Sequence, residues 1–187
     1  MAPNPRTLPF ADCIDRLTGA IGRAAAWLAL AIVLLQFALV VGRYALGLGS
    51  IWLTETVIYA NAALFLLASA WTLRGGGHVR VDVFYAHASP RAQAIVDLLG
   101  SLLLLLPFAL TLLWLSVPYA ARSWAILERS QEASGLPLVF LLKTFIPAFA
   151  LLMALQGLAQ AIRAVALLIP PPLAGEGGRR SRPGGGA

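Results

Sequence analysis

Charge is what this sequence has least of. Only 12 % of its 187 residues are Asp, Glu, Lys or Arg, about half the roughly 25 % of an average soluble domain. A soluble chain of this size needs a charged shell, and this one cannot make it. Hydrophobic residues reach 59 % and the mean hydropathy is +0.81, so the lipid bilayer is expected to be most of the solvent. Cysteine is nearly absent: Cys13 alone excludes an intrachain disulfide framework and any multi-cysteine metal site. Histidine is scarce too. His78 and His87 both fall between apolar runs, which argues against the intramembrane axial ligands of a cytochrome b-type haem. Gly75-Gly76-Gly77-His78 has no following Gly-Lys-Ser/Thr and is no phosphate loop. No cofactor is expected. The formal charge of +6 is scattered between apolar runs, so no nucleic-acid partner is expected, and the value of that charge is topological.

What is present is long uncharged sequence. Ala24–Gly42 (19 residues), Thr56–Leu73 (18), Leu98–Ala121 (24) and Thr144–Ile162 (19) carry no charge. A hydrocarbon core about 30 Å thick takes about 20 helical residues, so four membrane helices are predicted near 24–46, 51–73, 94–120 and 137–168. The runs are continuously apolar with no alternation, which favours helices over barrel strands. The first run is longer than a signal-peptide core and is followed by Gly42-Arg43-Tyr44, a poor cleavage site. It reads as a retained helix.

Ten Lys and Arg residues fall on the side of the termini and the second connection, and four on the other side. That bias puts both termini in the cytoplasm. Residues 1–23 read as a cytoplasmic or interfacial amphipathic segment. Phe10, Ile14, Leu17 and Ile21 recur at helical spacing, with Asp12, Asp15, Arg16 and Arg23 on other faces. The bland alternative is a plain extension of helix 1. Residues 24–168 form the four-helix membrane domain. The Pro/Gly/Arg-rich stretch 170–187 cannot bury a core and reads as a disordered cytoplasmic tail. Ser89-Pro90 has the chemistry of a helix start, and Pro107, Pro118 and Pro147 are expected to kink their helices. The fold class is thus an all-α integral membrane protein of four transmembrane helices with an N-terminal amphipathic interfacial helix.

Intramembrane charges are costly and usually paired. Arg43 and Glu55 flank a very short turn at similar depth, and Lys143 enters the fourth span from the same side. The three read as a structural charge layer, with Glu55 pairing Arg43 and Lys143 as its second partner. An ion relay is disfavoured, because no second acid lies near the midplane. Asn61, at mid-depth in the second span, suits a hydrogen bond to another helix. Trp52, Trp71, Trp114 and Trp124 lie towards span ends as interfacial anchors. His78, Arg80 and Asp82 are thin for a metal site and read as loop or partner contacts, as does Trp52 at the opposite end of the second span.

Arg43-Tyr44, the short turn, Trp52-x-x-Glu55 and Arg74-Gly-Gly-Gly-His78-Val-Arg80-Val-Asp82 resemble the small permease subunit of tripartite ATP-independent periplasmic (TRAP) transporters, the DctQ type. Glu132 through Pro147 and Leu155-Gln156-Gly157 resemble its mannitol or chloroaromatic-compound branch. Thr54 departs from the pattern, which often has a second acid before Glu55. The resemblance spans roughly 10–168. It implies a multi-pass protein of the bacterial inner membrane, and three partners: a large permease subunit, a periplasmic substrate-binding protein and membrane lipids. The large subunit would carry the substrate and sodium sites, and this chain would brace it during uptake of an organic acid without catalysing a reaction. The competing readings are a self-contained four-span carrier with Glu55 as its proton site, and an anchor for another complex.

Overall fold

The computed structural model describes residues 8–77, 85 and 88–169. His78, Arg80, Asp82 and His87 lie outside the described residues, as does the stretch 170–187. The described chain is helical: α1 (Pro9–Ala45), α2 (Ile51–Arg74), a third span in which α3 (Pro90–Leu99) continues through a π-helical stretch (Gly100–Leu105) into α4 (Leu106–Ala125), and α5 (Val139–Leu168). All four spans are long and apolar enough to cross a membrane. The four expected helices are present, the first beginning at Pro9 and not near residue 24.

The local chemistry sets these limits. Ser50 accepts a hydrogen bond from the Leu53 amide at 3.2 Å and opens α2. Ser89 accepts from Ala92 at 3.3 Å, with Pro90 at the first helical position, and opens α3. Gly76, at φ +67°, ends the turn after α2. Pro107 cannot donate to the turn before it. In place of a plain break, the ladder upstream widens over Gly100–Leu105, with the Leu106 amide reaching Ser101 O. α4 and α5 continue through Pro118 and Pro147.

The amphipathic stretch differs from expectation. It is not a separate helix but the first turns of α1, continuous with the span. Phe10 and Leu17 face outward, whereas Ala11, Ile14, Asp15, Thr18, Gly19 and Gly22 are buried. In a bilayer the outer face is the apolar one, so polar groups that find partners turn inward.

α5 packs against every other helix, and the α1–α2 hairpin meets the third span chiefly through it. Small residues allow the close approach. Ala70, Ala109, Leu152, Met153 and Ala154 form one buried cluster, and Ala11, Ile14 and Ala159 a second at the end that holds the termini. Gly22 lies directly against the Trp71 side chain, and a Cβ on Gly157 would sit 2.8 Å from Leu105.

Candidate functional site

The bundle has two ends. The terminal end holds the starts of α1 and α3 and the ends of α2 and α5. The loop end holds the turn between Ala45 and Ile51 and the connection from Ala125 to Val139. Each end carries a polar cluster.

At the terminal end the centre is Asp15, only 8 % exposed. Arg163 of α5 donates to both of its carboxylate oxygens, from Nη2 at 2.7 Å and Nη1 at 3.2 Å. Arg74, in the last turn of α2, places Nε 3.1 Å from Oδ2 and donates from Nη1 to the Asp15 carbonyl at 3.0 Å. Gln156, fully buried, donates to Oδ1 at 3.1 Å, and its own carbonyl accepts from Thr18 at 3.0 Å. Arg163 also reaches Asp12 at 3.3 Å. One carboxylate therefore joins α1, α2 and α5, with planar guanidinium groups on two sides. Gln160 adds a bond to Leu73 O at 3.4 Å. Beside this cluster a small cavity is lined by Arg74, Tyr85, Asp97, Gln156, Gln160 and Arg163 among others, and the Tyr85 hydroxyl donates to Asp97 at 2.8 Å. Sequence reasoning reads Asp15 only as lying off the apolar stripe and misses this cluster. A signal was there: Ala11, Ile14, Asp15, Thr18, Gly19 and Gly22 share one helical face, and its small residues mark close helix packing.

At the loop end the expected charge layer divides differently. Glu55 accepts from the Ser130 hydroxyl and, at 2.5 Å, from the Leu136 amide. Among the described residues no ion pair joins it to Arg43, which ends α1 on the exposed surface. The carboxylate turns away from the hairpin and closes the connection before α5. Ser130 in turn receives the Glu132 amide at 3.2 Å, and the Ser130 amide donates to Leu136 O at 3.2 Å. Lys143 pairs with Glu128 of the same connection at 2.5 Å, not with Glu55, and stands 4.4 Å above the Tyr119 ring. The Lys143 ammonium holds the Glu128 carboxyl below the usual carboxylate range, chiefly through their hydrogen bond. Trp124 donates to Thr144 at 2.8 Å and tilts against Phe140. Trp52 is half exposed at the start of α2.

Between these ends the interior holds no carboxylate and no cluster of His, Cys, Asp or Glu fit for a metal among the described residues. The chemistry on offer is that of fastening. A bidentate ion cluster locks three helices at one end, and two acids hold one connection at the other.

No match to the chain was found among curated proteins, and none among solved structures. The family model for tripartite ATP-independent periplasmic transporters, DctQ component, matches residues 16–167. That range reaches into all four spans and takes in the loop-end cluster and the Arg74, Gln156 and Arg163 of the terminal cluster, beginning one residue after Asp15, and the family is a transporter component rather than an enzyme family. Works of this kind are tripartite, with a large permease and a substrate-binding protein beside the small subunit. The chain is therefore a multi-pass membrane protein that belongs to the DctQ family, the small subunit of a TRAP transporter.

Proposed function

We propose that this subunit braces the large permease subunit and carries no solute itself. The observation behind this reading is the placing of its polar groups. The Asp15 cluster and the Glu55-held connection stiffen the two ends of the bundle, and among the described residues the interior between them has no broken helix with polar backbone at mid-depth of the kind that holds a solute. The widened turn at Gly100–Leu105 is lined by leucine. Glu55 has its oxygens occupied by a hydroxyl and an amide near the loop end, which disfavours it as a proton carrier reached from both sides.

The ten-to-four distribution of Lys and Arg supports termini in the cytoplasm of an inner membrane. That orientation puts the Asp15 cluster near the cytoplasmic leaflet, and Arg43, Glu55 and Lys143 near the periplasmic one. Coupling to sodium, and an organic acid as substrate, would then belong to the large subunit and the binding protein. The stretch Glu132–Pro147 supports the mannitol or chloroaromatic branch.

Liposomes test the reading. Solute uptake is measured with this chain alone, with the large subunit and binding protein alone, and with all three. Uptake only with all three is expected; uptake by the isolated chain refutes the proposal.

A further inference from the structure

The surface of this bundle is not uniformly apolar. Along α1, Trp27, Leu30, Leu34, Phe37 and Val41 are exposed, and along the third span Leu103, Leu104, Phe108, Trp114 and Leu115. Such faces are at home in lipid. Two side chains are not. Gln36 of α1 and Asn61 of α2 are both exposed, and neither has a side-chain partner among the described residues. Each lies about 14 Å from the loop end, counted at about 1.5 Å per residue, close to the middle of a hydrocarbon core about 30 Å thick. The two are within about one turn of the same level on adjacent helices.

An amide at that depth has two donors and an acceptor with no water to meet them. Serine and threonine escape by bonding the carbonyl of the preceding turn. Ser69 and Thr72 do so to Phe65 O and Ala68 O at 2.5 and 3.1 Å, and a rotamer change gives exposed Thr111 of the third span the same escape. Gln36 and Asn61 have made no such bond. The other spans show the contrast: the amides of α5, Gln156 and Gln160, are both satisfied inside the bundle. The third span has no Asn or Gln between Leu98 and Ala121. The unmet side-chain amides at mid-membrane therefore sit on the α1–α2 hairpin, and the one polar side-chain atom left at that depth on the third span is the indole N–H of Trp114. On α2 the neighbours of Asn61 suit a close helix contact. Ile58, Asn61, Phe65, Ala68 and Thr72 share the outward face, and a shallow groove beside Ala68 and Ser69 runs towards the terminal end. α2 is also the least apolar of the four spans, with a mean hydropathy of 1.5 against 1.9 to 2.5 for the others.

We infer that the outer face of the α1–α2 hairpin, centred on Asn61 with Gln36 at similar depth on α1, is the docking surface for the large permease subunit, a membrane helix of which supplies hydrogen-bonding groups to these amides. The leucine-rich outer face of the third span faces lipid. This assignment rests on the brace reading, since that reading provides the membrane partner.

The test uses the full chain in nanodiscs of phosphatidylethanolamine and phosphatidylglycerol, with Cys13→Ser to remove the exposed thiol. A nitroxide is attached in turn through Phe65→Cys and Leu104→Cys, both outward-facing positions. The expected result is a severalfold fall in oxygen accessibility at position 65 when the large subunit is present, and no change at 104. Separately, Asn61→Leu should weaken association with the large subunit by about 3- to 15-fold, the range of one interhelical hydrogen bond in a membrane. The isolated subunit should melt no lower, because Asn61→Leu removes no bond within the chain. Shielding at 104 in place of 65 overturns the assignment, as does shielding at 65 without the large subunit, which would mean a second copy. Unchanged affinity in Asn61→Leu overturns it too. A stable complex with position 65 still in lipid refutes only this face, whereas no complex at all refutes the brace as well.

Discussion

Replacing Asp15 by Asn should be the most damaging conservative change in the chain. The carboxylate accepts three hydrogen bonds, two from Arg163 and one from Gln156, and is ion-paired with Arg74. An asparagine retains one acceptor oxygen and turns an amide donor towards a guanidinium. Removing one member of a fully buried ion pair costs about 3–5 kcal/mol, because its partner is left charged and desolvated. Here Arg163 and Arg74 keep 30 % and 40 % of their side-chain surface exposed, so both can turn towards headgroups and water. The expected loss is therefore about 2–3 kcal/mol. For a chain of this length that is a fall in melting temperature of about 5–10 °C, measured on the isolated subunit in mild detergent. Arg163→Gln should cost a similar amount, and the double variant should cost clearly less than the sum, since both changes break the same contacts. Arg163→Lys should recover only part of the loss, as an ammonium cannot span both carboxylate oxygens. A melting temperature within a degree of the wild type for Asp15→Asn, or strict additivity in the double variant, would refute the claim that this cluster locks α1, α2 and α5.

Other consequences can be measured on the same material. Glu55→Gln should loosen the connection before α5, raising hydrogen exchange at the Leu136 amide by about tenfold for a loss of about 1.4 kcal/mol; unchanged exchange would mean that the amide is protected by something else. Because Lys143 lowers the Glu128 carboxyl pKa, the pair's contribution is complete above the ordinary carboxylate range and is lost as pH falls through the lowered value. Glu128→Gln should therefore flatten the acid limb of the melting-temperature profile and leave its shape near neutrality unchanged. Gly22→Ala should destabilise the α1–α2 hairpin by about 1–3 kcal/mol, because the new methyl group meets the base of the Trp71 side chain. Gly157→Ala should cost less, as the far end of Leu105 can swing aside.

The spans were legible because bilayer thickness and uncharged run length are the same quantity in different units. Four runs of 18 to 24 residues became four helices. Ser89-Pro90 marked the start of α3 for an equally local reason. The π-helical stretch was not legible, because Pro107 indicates that the ladder must adjust but not how. The partners of Glu55 were hidden for a topological reason. Sequence proximity pointed to Arg43 across a short turn, whereas the carboxylate meets Ser130 and Leu136, which come near only once α5 has packed against α2.

Asp15 shows a more general inversion. In water, an apolar stripe such as Phe10, Ile14, Leu17 and Ile21 is the side of a helix that packs. At a membrane border the outer environment is itself apolar, so hydrophobic character no longer distinguishes inside from outside. Of that stripe only Ile14 is fully buried, while the neighbouring Asp15 and Thr18 are enclosed. The useful discriminator is whether a polar group has a partner in its own chain. Applied at the terminal end, it puts Asp15, Arg74, Arg163 and Gln156 in one interior cluster. Applied at mid-depth, it singles out the amides of Gln36 and Asn61, which have no partner among the described residues and are the groups proposed to meet the large subunit. The same rule thus separates what holds this subunit together from what it offers to the rest of the transporter.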